Sequence, residues 1–261
     1  MLHSPIKYFG GKSYMMKEIQ SHFPDHLESY IFIDGFGGGG SAIFSKDQYG
    51  VEIYNDLNRN LYSLFKVLQD SDLFIEFKKR CDLSPYSRDF RNEYKEKLKE
   101  SNLSLLDRAF MYFYVNRTSF NGVGSFNVNT SIRRKISKSV SDYLSSIDAL
   151  PELHYRLSSV IIENMDIMDL LQKYNTPSTF YYLDPPYVHS TRKSTARYEV
   201  EMSDAQHEQM IDVIVHHNAK FVISGYDNSI YNKLLDFGFQ KKDFQSPHSD
   251  SIETIWWNTE R

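Results

Sequence analysis

Asp184-Pro185-Pro186-Tyr187 is the tetrapeptide in this sequence with the clearest chemical capacity. It follows Thr179-Phe180-Tyr181-Tyr182-Leu183, an apolar run with the length and composition of a buried strand. Each proline fixes its own φ and restricts the residue before it. The loop therefore holds a carboxylate, one or two backbone carbonyls and an aromatic face in a fixed arrangement. Such a cradle suits a flat base that carries an amino group.

A second constellation is Asp34-Gly35-Phe36-Gly37-Gly38-Gly39-Gly40-Ser41, which follows the strand-like run Tyr30-Ile31-Phe32-Ile33. Consecutive glycines allow positive φ and close approach of a ligand to the backbone. A helix opening near Ser41 can receive polar ligand atoms at its N-terminus. The spacing is not that of an ATP-binding P-loop. Asp34 suits an ammonium or a hydroxyl better than a phosphate; a tight structural turn is the plainer alternative. Asp56 stands just past the next strand, where an acid binds ribose hydroxyls, although an acid there also favours a helix N-terminus. NAD and S-adenosylmethionine both carry such a ribose. Asp34 favours the second, because it attracts a methionine amino group and repels a pyrophosphate. Asp166 follows the strand at 160–163 and is placed either for an adenine amino group or for ordinary turn chemistry. In Lys7-Tyr8-Phe9-Gly10-Gly11-Lys12, Lys12 can meet a carboxylate and Tyr8 can pack on a ring.

These residues need a frame, and the periodicities supply one. Strands are predicted at 30–33, 51–54, 160–163, 179–183, 221–224, 239–244 and 253–257. Helices are predicted at 13–23, from Ser41, and at 58–68, 204–217 and 230–235. The result is an α/β fold, a Rossmann-like sheet of seven strands. Between its early and late parts lies a polar stretch, mostly helical in pattern and without strand periodicity. The expected division is a catalytic, cofactor-binding domain at 1–69 and 158–261 with a helical target-recognition insertion at 70–157.

The 261 residues carry a formal charge of −4, which argues against a protein that coats DNA generically. The charge is uneven: residues 73–140 hold 14 Lys/Arg against 7 Asp/Glu. A basic middle on an acidic chain fits either one region that meets a polyanion or a solvated helical surface. No apolar run is long enough for a membrane span, and the start of the chain lacks the apolar segment of a secretory leader. Cys81 is the only cysteine, which rules out an intrachain disulfide and zinc held by several thiolates, and a cytoplasmic setting is expected. His216-His217 reads as a helix end rather than a metal site, and Trp256-Trp257 as packing. No metal is expected.

Taken in order, the Gly-Gly-Lys element ending at Lys12, the turn from Asp34 to Ser41, Asp56 and Asp-Pro-Pro-Tyr resemble the Dam-type DNA adenine methyltransferases over 6–258. The resemblance implies S-adenosylmethionine as cofactor, with Tyr8, Lys12, Asp34, Phe36, Gly37, Asp56, Asp166 and Asp184 in its pocket. It implies Asp184, Pro185 and Tyr187 as the catalytic set, acting on an adenine flipped out of double-stranded DNA. Asn116-Arg117-Thr118-Ser119-Phe120-Asn121-Gly122 is similar to the family's Asn-Arg-Thr segment at the DNA face, and Phe126-Asn127-Val128 to the Phe-Asn-Val that follows it. The chain departs from the pattern in between, where only Val123-Gly124-Ser125 intervenes, and at Arg133-Arg134-Lys135. The GATC target of familiar Dam enzymes is therefore not carried over.

Candidate DNA contacts are Arg88, Arg91, Asn116, Arg117, Asn121, Arg133, Arg134 and Lys135, with Arg192, Lys193 and Arg197 beyond the catalytic loop. A monomer is expected in solution, with pairing on DNA left open. Amino methylation of cytosine or of RNA adenine, and a silent DNA-binding module, are the alternatives. Asp at position 184 favours adenine, and the basic insertion favours duplex DNA.

Overall fold

A computed structural model of the chain describes residues 2–8, 10–188, 201–245 and 252–260. The chain divides into two compact units. The first contains residues 1–11, 38–45 and 59–162, and the second 12–37, 46–58 and 163–261.

The second unit carries most of the sheet. Strands β1 (Ile31–Asp34), β2 (Val51–Asn55), β6 (Thr179–Leu183) and β7 (Lys220–Gly225) are its inner members, with β8 (Gln240–Gln245) and β9 (Ile252–Trp257) at one side. Including β5 (Val160–Glu163), the sheet order is β5-β2-β1-β6-β7-β9-β8. β1 pairs parallel with β2 and β6, and β6 with β7, whereas β9 runs antiparallel to both β7 and β8. The chain order reverses between β1 and β6, and in an open α/β sheet ligands bind beyond the carboxyl ends of strands at such a switch. Asp34 ends β1 in register with Tyr182, and Asp184 follows β6 directly.

β6 is buried at every position because both faces are covered, which explains its unbroken apolar run. Tyr181, Leu183, Phe221, Ile223 and Trp256 join Leu170 of α9 (Ile167–Lys173) and Met210 of α10 (Asp204–Ile214) in one core. α10 starts with a capping box in which Ser203 and Gln206 satisfy each other's backbone donors. Trp256 is fully buried, and its indole N–H donates to Asn232 at 3.2 Å, in line with the packing role.

The first unit is helical: α3 (Arg59–Gln69), α4 (Ser71–Leu83), α5 (Arg88–Lys97), α6 (Leu105–Thr118), α7 (Lys138–Asp148) and α8 (Leu150–Leu157). Asp70, Ser87 and Ser104 cap α4, α5 and α6 through their side chains. Leu61, Leu64 and Phe65 of α3 and Phe113 of α6 are fully buried. α3 packs with the later helices, and the longest segment of this unit runs from Arg59 to Ile162.

Two local expectations are corrected. The helix predicted at 13–23 is regular only over α1 (Met16–Gln20), and Ser21 turns its hydroxyl onto the Glu18 carbonyl at 2.7 Å. The stretch without strand periodicity contains a small antiparallel hairpin of β3 (Ile132–Arg133) and β4 (Ile136–Ser137). Its turn residues Arg134 and Lys135 have φ of 52° and 65°. Positive φ at both central positions is the type I′ geometry usually signalled by Asn-Gly; Arg-Lys gives no such signal. No described helix is long and apolar enough to cross a membrane.

Candidate active site

The carboxylate of Asp184 emerges where β6 ends. Asp184 Oδ1 accepts the Ser224 hydroxyl at 2.8 Å, and Ser224 lies on the adjacent strand β7. The Tyr182 hydroxyl lies 3.0 Å from Ser224 Oγ. Because Ser224 gives its one proton to Asp184, Tyr182 is the donor in that pair. Burial, and then the charge of Asp184, push the Tyr182 phenol well up, so it stays neutral and able to donate.

Lys12 is part of the same cluster. Its ammonium is buried, 3.0 Å from Asp184 Oδ1 and 3.9 Å from Glu253 Oε2, and it donates to the Tyr187 hydroxyl at 2.6 Å. The Tyr187 hydroxyl in turn donates to Glu253 at 3.1 Å, and its ring stacks on Tyr226 with centroids 4.1 Å apart. Lys12, expected to meet a carboxylate, thus meets Asp184 and also the aromatic of Asp-Pro-Pro-Tyr. Glu253 escaped the sequence reading. It lies on β9, and strand pairing brings it to the cluster.

The glycine turn keeps a different acid in reserve. Asp34 is 1% exposed, and its Oδ1 finds no hydrogen-bond partner among the described residues. Burial, followed by the charges of Asp184 and Asp56, raises its carboxyl well above the ordinary range. Gly37 is required here: a Cβ would stand inside the ring of Tyr54. Asn55 fastens the floor, with its amide donating to the carbonyls of Gly35 and Met165 at 3.1 Å and its oxygen accepting from Met165 N–H at 2.9 Å. Phe36 is half-buried against the core. Asp56 accepts the Asn58 N–H at 2.8 Å in a tight turn, and Asp166 caps α9 by accepting the Met168 N–H at 2.9 Å. In the first unit, Tyr8 lies against Gly38, which has φ of 49° and no room for a side chain beside that ring.

A carboxylate at the end of β6, an acid at the end of β1 with one oxygen unpartnered among the described residues, and a glycine turn stand at the reversal of sheet order. Residues 8–251 match the model of the D12 class N6 adenine-specific DNA methyltransferases. The chain belongs to this family. It is 24% identical over 186 residues to a type II methyltransferase, M.CviBI, of Paramecium bursaria Chlorella virus NC1A, covering 70% of this chain and 68% of that protein. It is 24% identical over 255 residues to the DNA adenine methylase of Haemophilus influenzae, covering 89% and 86%. The modification methylase StsI of Streptococcus sanguinis matches at 27% over 202 residues, 73% of this chain and 29% of that longer protein.

Members of a DNA methyltransferase family act on a polyanion, and the candidate contacts divide accordingly. Arg88 is exposed, with its guanidinium 4.8 Å from the Phe126 ring centroid. Asn121 is exposed with φ of 48°, and Arg133, Arg134 and Lys135 form the exposed hairpin end. Arg133 pairs with Asp142 at 2.8 Å, and Arg134 reaches the Ser145 hydroxyl at 3.2 Å. Three candidates turn inward instead. Arg91 is buried and donates to Ser119 and to the carbonyl of Gly124. Arg117 donates to the carbonyls of Pro5 and Ser4 at 2.6 and 2.8 Å, and burial lowers its pKa to about 10. Asn116 brackets Lys7, accepting its N–H at 2.8 Å and donating to its carbonyl at 2.9 Å. In this structure these groups hold the N-terminal segment and the 119–124 loop. Arg192, Lys193 and Arg197 lie outside the described residues.

Proposed function

We propose that this protein transfers a methyl group from S-adenosylmethionine to the exocyclic amine of an adenine flipped out of double-stranded DNA, within a fixed sequence context. The observation that carries this reading is the pairing of two acids at the sheet switch point, one unsatisfied and one presented. The cofactor fits the residues present: the orphaned oxygen of Asp34 asks for an ammonium, and Asp56 and Asp166 stand at neighbouring strand ends for ribose hydroxyls and an adenine amine. When bound, S-adenosylmethionine supplies an electrophilic sulfonium methyl whose transfer leaves a neutral thioether.

The amine of adenine is a poor nucleophile because its lone pair is conjugated with the ring. Asp184 and the Pro185 carbonyl accept its two N–H bonds, which favours a tetrahedral nitrogen with the lone pair aimed at the methyl. In that transfer the N–C bond would form as the C–S bond broke, and Asp184 would take the surplus proton of the nitrogen and release it to water. Tyr187, held by Tyr226 and by its hydroxyl, stacks on the target ring. A base in duplex cannot reach this pocket, so it leaves the stack first. The helical unit, 70–157 in particular, is assigned to target recognition. The setting is then the cytoplasm of a bacterial or phage-infected cell.

Single-molecule sequencing of DNA from cells that express the protein tests this directly. N6-methyladenine in one recurring context is expected; modified cytosine, or unmodified DNA, rejects the reading. A second expectation concerns the hairpin end. Neutralising Arg133, Arg134 or Lys135 should reduce the slope of log affinity against log salt by about 0.9 for each phosphate that the side chain had neutralised. An unchanged slope removes that residue from the DNA face. Arg117, by contrast, should report through the thermal midpoint, because its hydrogen bonds are internal.

A further inference from the structure

Glu253 has no part in the reaction as described, yet it is the most heavily engaged acid near Asp184. It is 4% exposed on β9 and accepts the hydroxyls of Tyr14 and Tyr187, each at 3.1 Å. Its Oε2 is 3.9 Å from the ammonium of Lys12, which lies 3.0 Å from Asp184 Oδ1. One buried cation is therefore bracketed by two carboxylates. Both Lys12 and Ser224 approach the same oxygen of Asp184, Oδ1, and the Asp184 side chain is 18% exposed. Neither contact is made to Oδ2.

We propose that Glu253 is a positioning residue for methyl transfer: by holding Lys12 and the Tyr187 hydroxyl it fixes Asp184 through Oδ1 and reserves Oδ2 for the target amine. The assignment rests on the adenine-methylation reading above. The reason is electrostatic. Lys12 and Asp184 alone would form a net-neutral pair, whereas Glu253 leaves the three-group cluster net negative where the amine is to bind. Glu253 also sets the direction of the Tyr187 hydroxyl, and so the plane of the ring that stacks on Tyr226. The groups facing Glu253 are Lys12 and Tyr14 from the N-terminal segment, Tyr182 from β6, and Asp184 and Tyr187 from the loop after it. Burial and then Asp184 push the Glu253 carboxyl up, against the opposing pull of Lys12 and of the hydroxyls of Tyr14 and Tyr187. Its protonation as pH falls removes the charge that holds Lys12, so an acid limb in kcat should lie above the ordinary carboxylate range.

The test is the pH profile of kcat, with KM for S-adenosylmethionine measured alongside, on Glu253→Gln, Glu253→Asp and Tyr14→Phe. Glu253→Gln should lower kcat by about 10–100-fold, the scale of one charged hydrogen bond, with KM little changed and the acid limb gone. Glu253→Asp restores the charge and should recover part of kcat together with the limb. Tyr14→Phe removes a donor that favours the carboxylate, so the limb should move to higher pH. Because Tyr14 is itself 37% exposed, its variant decides the matter even if Glu253→Gln does not fold. A limb unmoved in Tyr14→Phe, or wild-type kcat with an intact limb in Glu253→Gln, overturns the role of Glu253 alone. A wild-type protein that leaves DNA adenine unmodified overturns the underlying reading, and this role with it.

Discussion

Replacing Asp184 with alanine is expected to lower methyl transfer by about 10³-fold or more, the loss associated with removing a preorganised polar group from a reacting centre. Binding of S-adenosylmethionine and of DNA should survive in part. The substitution removes the acceptor that draws on the amine, and it also frees Lys12 and the Ser224 hydroxyl, both of which now address Oδ1. Lys12 would be left with Glu253 and Tyr187 as partners, which keeps its charge compensated and the fold intact. Asp184→Asn separates shape from charge: it retains a hydrogen-bond acceptor for Ser224 but offers the amine a neutral one. Labelled methyl transfer to DNA under single-turnover conditions distinguishes chemistry from release. Near wild-type transfer by Asp184→Ala would eliminate the proposed mechanism.

Asp34→Asn should act in opposite directions on stability and on binding. Asp34 is buried with an unpartnered oxygen, and its carboxyl titrates well above the ordinary range in the folded state. A folded pKa above the unfolded value means that the native state holds a proton where the unfolded chain has lost it. Stability therefore falls as pH rises past the unfolded carboxylate pKa, and goes on falling up to the folded pKa. Replacing the ionisable group should raise the stability of the cofactor-free protein by roughly 1–3 kcal/mol near neutral pH, and flatten that part of the pH profile. The same change removes the carboxyl that would ionise opposite an ammonium, so affinity for S-adenosylmethionine should fall by about 10–100-fold. Thermal unfolding against pH and titration calorimetry read the two effects separately. A variant that is less stable with unchanged affinity would make Asp34 a structural residue.

The two acids differ in how they could be found. Asp184 is visible in the chain because an apolar run, two prolines and an aromatic are local features. Asp34 is visible because four glycines follow close behind it. Glu253 shows no such mark. It lies between Ile252 and Thr254 in a strand whose sequence does not alternate, and it reaches the cluster because β9 pairs antiparallel with β7. The arginines of the basic stretch divide in a way that composition does not show. Arg91 and Arg117 read as phosphate contacts, and in the fold their guanidinium groups donate to Ser119, Gly124, Ser4 and Pro5. A guanidinium carries five donors in a fixed fork, which serves buried carbonyls as well as phosphate oxygens. Composition cannot tell the two uses apart.

By itself the sequence determined the strands, their alternation with helices, the family and the two strand-end acids, because each depends on periodicity, proline and glycine geometry within a few residues. The tertiary structure alone decided which charges meet: that Lys12 stands at Asp184, that Glu253 closes the cluster, that Asp34 is left unsatisfied, and that the basic hairpin is exposed while Arg91 and Arg117 are not. Those facts depend on pairings between segments far apart in the chain and on the burial that follows from them, and burial sets both the strength of a charge interaction and the cost of leaving one unmade.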